Sequence, residues 1–504
     1  MESLGRHDLK STRLVCKTWC SYASRFLFDK IYIAPNETDL EVFDAITQDP
    51  ILSKCVRQLV YDGSEFMPGL TSGSYVRDLW TQTATMFGTR SLIPDSIDSQ
   101  IKDWTSDVAR QEFSLKDAVA IKDWTYDVAR RGLSLEDSVA KWRNHSLINC
   151  GYRKYREHSV YQQKALQSGD FVESLVQGLS RLGCLESVTL EGGWPYSVQT
   201  SLCDNHHGTP LARGWHPFHL RPHRWSWEPE AYEFEELPDG MRHYWIITAA
   251  LVRAQRHIDE FAVGRNYLPG ISPEVFERND PMRPSTLGLD IAAFSELKRL
   301  HLSLGDCISL ADFDDFDDGS APVYSDNIEG LPKLLRSMHL LQRLDLDLSY
   351  SCEDYPSLFR YDQVFPQVMT WNNLEYMGLG NFASSATNLL YLLLIQMPNL
   401  KNVRLGITQL LEGSWESVIE CLRQCSHSMT FEIDNESTLW YDEDTVLECD
   451  NEDINEYVMR GGRHPCLSDG QPAYASGAYM LQIDTSLRDR LPLEAKSSRT
   501  HVPI

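Results

Sequence analysis

The sequence lacks an apolar stretch long enough to cross a membrane, and its N-terminal segment lacks one that would direct secretion. Its longest strongly apolar run, Leu389 to Met397, falls far short of the roughly 20 residues that span a bilayer. The N-terminal segment MESLGRHDLKSTRLVCKTWC also lacks the uninterrupted apolar core of a secretory signal. We therefore expect a protein without a membrane segment that works inside the cell, in the cytoplasm, the nucleus or both.

Paired cysteines and catalytic motifs are missing as well. The 12 cysteines are scattered without a Cys-x-x-Cys pair, which in a reducing compartment favours free thiols over a disulfide framework. No G-x-S-x-G, H-E-x-x-H, Walker or G-x-G-x-x-G pattern occurs, and no cysteine lies in the signature of a thiol nucleophile. The sequence therefore predicts that the chain is not itself an enzyme and that it holds no cofactor.

A basic patch, the usual mark of a nucleic-acid-binding protein, is absent too. The chain of 504 residues has 72 Asp and Glu against 47 Lys and Arg, a formal net charge of −25, and such a surface repels phosphate backbones. Hydrophobic residues make up 42% and aromatic residues 11%, which indicates a folded chain. The length allows several domains or one long solenoid.

One internal repeat is a tandem duplication. Residues 101–120 and 121–140 are identical at 14 of 20 positions, and Ser114 with Asp117 provides a helix start signal before the second copy. Apolar residues at roughly helical spacing predict helices here. The duplication is either a recognition insert that grew by one unit or a lengthened surface helix pair, and the tolerance of surfaces to insertions favours the second.

A second repeat runs through most of the chain. In the pattern L-x-x-L-x-L, with Val or Met allowed, the last two apolar residues alternate as in a half-buried strand, and helix-like stretches lie between the copies. One strand and one helix per unit predict an α/β fold, an irregular leucine-rich-repeat-like solenoid, with unrelated α/β packing as the alternative. The copies begin at Leu185, Leu297, Leu341, Leu374 and Leu400. The Asn or Cys normally found three residues after the last Leu is replaced by Gly193, Gly305, Ser349, Phe382 and Thr408.

The N-terminal segment carries a further pattern, HDLKSTRLVCKTWCSYASRFLFDKIYI, from His7 to Ile33. Its helix start, its R-L-V-C-K-x-W string and its helix leading into a strand resemble the second half of an F-box. Followed by a leucine-rich region, the segment resembles the fungal F-box proteins with divergent leucine-rich repeats; from the pattern alone, an ordinary buried helical pair is the alternative. The resemblance implies that adaptor-binding residues lie at Leu9, Leu14, Val15, Cys16 and Trp19.

The resemblance also implies a function. Such a protein is the substrate-recognition subunit of an SCF-type ubiquitin ligase, in which the F-box docks a Skp-family adaptor and the repeat region holds a protein client. An F-box normally begins with an L-P-x-E-[IL] helix, whereas MESLGRHDLK stands in its place here. Either the start codon is misassigned or the docking module has lost a part, and the alternative function is an interaction scaffold that no longer docks the adaptor.

The strand alternation predicts a client-binding face. If the repeat leucines point inward, their neighbours lie on the opposite face of each strand, and adjacent strands align them in one array. Arg and Tyr are enriched at interface hot spots. The predicted client contacts are Arg299, His301, Arg343, Asp345, Tyr376 and Arg404. The alternatives are that these are merely solvated strand positions, or that loops near 200–240 and 306–326 cover the sheet and bind instead.

Clusters of His, Cys and Asp invite metal ions but match no ligand pattern. Residues 203–245 contain one cysteine and several histidines without the compact pairs of a zinc site, so a partner-facing loop is favoured. The run ADFDDFDDGS, residues 311–320, fails the EF-hand template and is expected to be a solvated loop. A second acidic stretch, residues 441–458, is either solvated or attracts a basic client.

These patterns divide the chain into five segments. They are a partial F-box at 1–35, the first strand-helix units at 36–100, the duplicated helical insert at 101–140, the irregular solenoid at 141–430, and an acidic C-terminal cap and tail at 431–504. The expected partners are a Skp-family adaptor with its cullin ligase and an unidentified protein client, with neither nucleic acid nor membrane.

Overall fold

The chain folds into an α/β structure in which a largely parallel sheet carries helices, as the sequence predicts. The computed structural model describes residues 6–63, 66, 71, 146–191, 240–264, 271, 273–276, 287–304, 330–348, 359–366, 369–406, 408–425, 429–433, 439–440, 446–447 and 455–458. The tandem duplication and the acidic run 311–320 lie outside these ranges. None of the helices in the described ranges combines the length and the apolar composition needed to cross a bilayer.

In the described part of the chain, nine short strands form one sheet in which all neighbours run parallel. Their order in the sheet follows their order in the chain, so each strand lies beside the strands of the preceding and following units. The strands are β1 (Lys30–Ile33), β2 (Gln58–Asp62), β3 (Ser187–Glu191), β4 (Glu260–Val263), β5 (Arg299–Ser303), β6 (Arg343–Asp347), β8 (Tyr376–Gly380), β10 (Asn402–Leu405) and β12 (Thr430–Ile433).

A second, smaller sheet is formed by strands that come after β6 in the chain. Its strands, in chain order, are β7 (Phe359–Arg360), β9 (Phe382–Ser385), β11 (Thr408–Glu412), β13 (Leu439–Trp440) and β14 (Val446–Leu447). Between β8 and β9 the chain turns at Asn381, whose φ of 55° lies in the left-handed region that Asn tolerates better than most residues. The side-chain amide of Asn381 donates to Asp347 at 3.4 Å. Asn381 thus lies one residue before Phe382, the position at which the leucine pattern would normally carry Asn or Cys.

Helices connect the parallel strands, as parallel pairing requires. Successive helices pack against one another, so they form a layer beside the sheet. The α-helices are Arg6–Thr12, Lys17–Leu27, Glu37–Gln48, Ser146–Ser168, Asp170–Arg181, Gly240–Arg253, Leu287–Phe294, Gly330–Ser337, Tyr361–Val364, Ala386–Tyr391 and Trp415–Cys425, with a 3-10 turn at Pro273–Phe276 and a π-helical turn at Leu392–Gln396.

One face of the first sheet forms the core. Leu300 and Leu302 of β5 pair in register with Leu344 and Leu346 of β6, and all four side chains are buried. Burial of one such side chain contributes about 1.5–3 kcal/mol. The alternation of the strands therefore fixes which residues occupy the opposite face.

A repeated hydrogen-bond pattern aligns the start of each strand with the next. The carbonyl of Asp259, which precedes β4, accepts from the N–H groups of Lys298 and Arg299 at 3.0 and 2.9 Å. The carbonyl of Lys298 in turn accepts from Gln342 and Arg343 at 2.7 and 3.0 Å. Because the strands start level, residues at equal positions in successive strands form straight rows across the sheet.

Candidate functional site: an apolar patch and a polar sheet face

The first candidate surface lies on the N-terminal helix pair, Arg6–Thr12 and Lys17–Leu27. The two helices pack together, and the guanidinium of Arg13 lies 5.0 Å from the ring centre of Phe28. Inside the pair, Leu9 and Ala23 are buried. The pair is therefore a small packed unit at the β1 end of the first sheet, since Lys30 begins β1 directly after the second helix.

Large apolar side chains stand exposed on this helix pair. Leu14 is 87% exposed and Trp19 48% exposed, although leucine and tryptophan side chains favour the interior. Trp19, Tyr22 and Phe26 follow one another at spacings of three and four residues, which places them on one face of the second helix. The name apolar patch is used below for Leu14, Val15, Trp19, Tyr22 and Phe26, which are all exposed.

The structure separates the predicted adaptor-binding residues into two groups. Leu14, Val15 and Trp19 lie in the apolar patch, and Cys16 is exposed with a free thiol. Leu9 was predicted to contact the adaptor, but it points into the helix pair and is buried there, so it supports the patch from within. The R-L-V-C-K-x-W string does not include Tyr22 and Phe26, which are exposed on the same helix face as Trp19. Their helical spacing from Trp19 could have identified them in the sequence.

The charge around the apolar patch is opposite in sign to that of the whole chain. Residues 6–30 contain six lysines and arginines against two aspartates, whereas the chain carries a net charge of −25. The exposed basic side chains include Lys10, Lys17 and Arg25. A partner with an apolar groove and an acidic rim would complement this surface.

The second candidate surface is the polar face of the first sheet, opposite the buried leucines. Arg299, Arg343 and Tyr376 occupy one row of directly paired positions, and His301 and Asp345 lie in the next row. That second row continues through Gly378 to Arg404. All six predicted client contacts therefore share one face; their binding to a client stays a prediction.

Several side chains on this face contact one another. The guanidinium carbon of Arg343 lies 3.8 Å from the ring centre of Tyr376, a close cation–π contact. Asp345 Oδ2 lies 3.5 Å from Arg343 Nη2 and 3.4 Å from His301 Nδ1. Arg299 Nε donates to Glu260 Oε2 on the neighbouring strand β4 at 3.1 Å. The name open cluster is used below for Arg299, His301, Arg343, Asp345, Tyr376 and Arg404.

The protonation of the open cluster follows from these contacts. Burial acts to raise the pKa of Asp345, but the hydrogen bond to His301 and the charges of Arg343 and Arg404 outweigh it and lower the pKa below its ordinary value. Burial raises the pKa of Tyr376, which keeps its phenol neutral. At neutral pH the open cluster thus presents a carboxylate among three guanidinium groups and a neutral ring.

A glycine in the sheet makes this arrangement possible. A Cβ atom on Gly378 would lie 2.2 Å from Asp345 Oδ1, so the carboxylate of Asp345 extends over a position that carries no side chain. Sequence reasoning missed both Gly378 and Glu260. Strand pairing, which a single sequence does not reveal, is what brings them beside Asp345 and Arg299.

Of the histidines in residues 203–245, only His243 lies in the described part of the chain. His243 is buried and forms a hydrogen bond of 2.5 Å with the hydroxyl of Tyr61, which gives it a role in packing. The remaining histidines of residues 203–223 and the run 311–320 lie outside the described residues, as do the loops near 200–240 and 306–326. Within the described residues, no group of three or more His, Cys, Asp or Glu side chains is arranged to hold a metal ion.

Comparisons with known proteins add no relative. No protein-family model, no curated protein and no solved structure matches the chain.

Proposed function

We propose that this chain is the substrate-recognition subunit of an SCF-type ubiquitin ligase, with the N-terminal helix pair docking a Skp-family adaptor. The observation that carries the proposal is the apolar patch, where Leu14, Val15 and Trp19 of the R-L-V-C-K-x-W string are exposed together. Five exposed large apolar side chains between Leu14 and Phe26, three of them on one helix face, indicate an interaction site. Tyr22 and Phe26 extend the patch along one helix, as docking into a partner groove requires.

The strand-helix units form, in this proposal, an irregular leucine-rich-repeat-like solenoid. Its support is the chain-order sequence of parallel strands together with the carbonyl pattern that recurs from Asp259 to Lys298 and onward. Each unit buries its apolar residues against its neighbours, which is the physical basis of a repeat architecture.

The client lies on the polar face of the first sheet, and the protein contributes proximity instead of chemistry. A client held there has its lysines at high effective concentration near the transfer enzyme. The support is that Arg343 and Tyr376, residue types common at hot spots, are half-buried and already in contact.

Co-purification of the full chain with a recombinant Skp-family adaptor tests the docking step. We expect the wild-type chain to retain the adaptor and Trp19→Ala to lose most of it, because truncation of a central aromatic anchor costs about 2–4 kcal/mol of binding. Leu411→Ala is the matched control, since Leu411 is 45% exposed but lies on β11, away from the patch.

Two results would contradict the proposal in different ways. Retention that is unchanged in Trp19→Ala would mean that the apolar patch is not the docking surface. Failure of the wild-type chain to retain any adaptor would favour the alternative function, an interaction scaffold that uses the sheet face without a ligase.

A further inference from the structure

Cys55 and Cys184 occupy equal positions in two adjacent strand-helix units. Each lies three residues before a strand, Cys55 before β2 and Cys184 before β3, and these two strands pair in parallel. The alignment continues upstream of the strands, because the carbonyl of Arg57 accepts from the N–H groups of Glu186 and Ser187 at 2.8 and 3.0 Å. The two cysteines are therefore neighbours across adjacent units.

The spacing of adjacent units suits a disulfide. Neighbouring strands lie about 4.8 Å apart, and the Cα atoms of a disulfide are usually about 4.4–6.8 Å apart. Further along the sheet, the residues three positions before β4 and β5 are His257 and Glu296, and His257 Nδ1 lies 3.6 Å from Glu296 Oε2. Side chains at this position thus contact each other between adjacent units.

The two thiols differ in exposure. Cys184 is exposed, whereas Cys55 is buried and its Sγ donates to the carbonyl of Ile51 at 3.3 Å. Burial raises the pKa of the Cys55 thiol, and the charge of Cys184 adds to the rise, which agrees with two sulfur atoms that lie close together. Cys184 is therefore accessible to a dissolved oxidant, and Cys55 is a protected thiol beside it.

We propose that Cys55 and Cys184 are a redox site, at which a hydroperoxide converts the two thiols into a reversible disulfide. In a reducing compartment disulfides are rare, and those that form are usually transient and redox-sensing. The bond joins the unit of β2 to the unit of β3 and closes the chain between residues 55 and 184 into a loop. This site is independent of the proposed ligase role.

The reaction takes two steps. The thiolate of Cys184 attacks one peroxide oxygen, the O–O bond breaks, and a sulfenic acid forms at Cys184 while the second oxygen leaves as water with the proton of that thiol. The sulfur of Cys55 then attacks the sulfenic sulfur, the S–O bond breaks, and the hydroxide leaves as water with the proton of the Cys55 thiol. The two thiols thus lose two electrons and two protons, and one molecule of hydrogen peroxide becomes two of water.

Peptide mapping of the full chain tests the proposal. Reduced protein is treated with hydrogen peroxide at near-equal concentration, the remaining thiols are blocked with N-ethylmaleimide in denaturant, and the unreduced digest is analysed by mass spectrometry. We expect a peptide pair that joins Cys55 to Cys184, that forms about tenfold faster than any other disulfide of the chain, and that disappears on treatment with dithiothreitol.

Serine variants assign the roles of the two cysteines. In Cys55→Ser the sulfenic acid at Cys184 loses its resolving thiol, so dimedone should label Cys184. In Cys184→Ser the buried Cys55 should stay reduced and be recovered with N-ethylmaleimide attached. Cys421→Ser is the control, because Cys421 is a half-buried cysteine on the helix Trp415–Cys425, and the cross-link should form as in the wild type.

Thermal unfolding provides a second measurement. The oxidised wild type should unfold at a higher temperature than the reduced protein, because a cross-link that closes a long loop restricts the unfolded chain. Both Cys55→Ser and Cys184→Ser should remove that difference, and Cys421→Ser should keep it.

Several results would overturn the proposal. They are recovery of both cysteines as blocked thiols after peroxide treatment, conversion of Cys184 in the wild type to sulfinic acid without a cross-link, and a disulfide from either cysteine to another part of the chain. A cross-linked form that unfolds at or below the temperature of the reduced protein would also count against it, since the bond would then distort the two units that it joins.

Discussion

Two clusters in this molecule use the same three residue types, arginine, carboxylate and tyrosine, in different geometries. In the open cluster, Arg343 stacks on Tyr376 and meets Asp345 only at 3.5 Å. In a second cluster, called the closed cluster below, Arg423 donates to both oxygens of Glu420 at 2.9 and 2.6 Å, and the hydroxyl of Tyr457 donates to the same carboxylate.

The difference shows how geometry divides structural from binding roles. In the closed cluster the guanidinium fork is occupied by Glu420, so the three groups tie the segment at Tyr457 to the helix Trp415–Cys425. In the open cluster the Tyr376 ring holds the Arg343 guanidinium from one side, and the Arg343 side chain stays 42% exposed. The closed cluster should therefore contribute to stability, and the open cluster to binding.

The largest expected effect lies directly beneath the open cluster. Leu344, the residue between Arg343 and Asp345, is fully buried on the other face of β6. Leu344→Ala should lower the free energy of unfolding by about 2–5 kcal/mol, because it leaves a cavity in the core. Urea unfolding measures this loss. A loss below about 1 kcal/mol would mean that Leu344 contributes little to the packing of the core. The two faces of β6 would then not divide into a buried face that stabilises the fold and a polar face that is available for binding.

The next effect comes from the closed cluster and depends on pH. The hydrogen bond from Arg423 outweighs burial and lowers the pKa of Glu420 from 4.5 to about 2. Glu420→Gln should cost about 1 kcal/mol at neutral pH, the upper end for a partly exposed ion pair. Because the pKa is lower in the folded state, this contribution is complete above pH 4.5 and is lost as the pH falls toward 2.

Urea unfolding of the wild type and Glu420→Gln at several pH values measures the contribution. The difference between the two should shrink steadily on acidification. A difference that stays constant down to the lowest pH would show that the ionised carboxylate does not tie the C-terminal segment. Gln424→Ala is the comparison variant: it removes one hydrogen bond to the Glu420 carboxylate but leaves the pair with Arg423, so its loss of stability should be smaller than that of Glu420→Gln.

Much of the sheet could be predicted from the leucine pattern, and the missed strands share one property. The five predicted copies correspond to β3, β5, β6, β8 and β10. Beside β2 the equivalent core positions are Val56 before the strand and Leu59 and Tyr61 within it; beside β4 they are Ile258 before the strand and Phe261 and Val263 within it. These residues fill the core as leucine does, so a pattern restricted to Leu, Val and Met passes over strands whose burial is equivalent.

The site was predictable only as far as it depends on alternation along one strand. The shared face of Arg299, His301, Arg343 and Asp345 follows from a period of two. The stack of Arg343 on Tyr376 depends on which strands pair and in what register, and β7 intervenes in the chain between β6 and β8. Leu9, one of the predicted adaptor-binding residues, is buried in the helix pair, since a short apolar motif does not show which of its members packs inward.

A smaller effect is expected from the glycine beside Asp345. In Gly378→Ala the new methyl group would displace the Asp345 carboxylate from His301 and Arg343, which costs about 1 kcal/mol or less because the carboxylate can rotate away. Loss of the hydrogen bond from His301 should raise the pKa of Asp345. A carboxyl titration followed by NMR measures that pKa.

Gly380→Ala provides the matched control for this change. A Cβ atom there would lie 3.4 Å from Asp347 Oδ1, a distance that needs little rearrangement. The titration of Asp345 should therefore stay as in the wild type. An equal shift in both variants would indicate a general disturbance of β8, and the special role of Gly378 in the open cluster would be wrong.

The smallest expected effect on stability is at Arg343. Arg343→Gln removes a cation–π contact at a side chain that is 42% exposed, where such contacts contribute about 0.5–1 kcal/mol. Asp345 keeps its contact with His301, so we expect a loss of about 0.5 kcal/mol. Arg423→Gln, which breaks the two hydrogen bonds to Glu420, should cost about 1 kcal/mol. Parallel urea unfolding of the two variants compares the clusters directly. If Arg343→Gln lost as much stability as Arg423→Gln, the open cluster would be a structural ion pair like the closed one, and its guanidinium edge would no longer indicate a ligand.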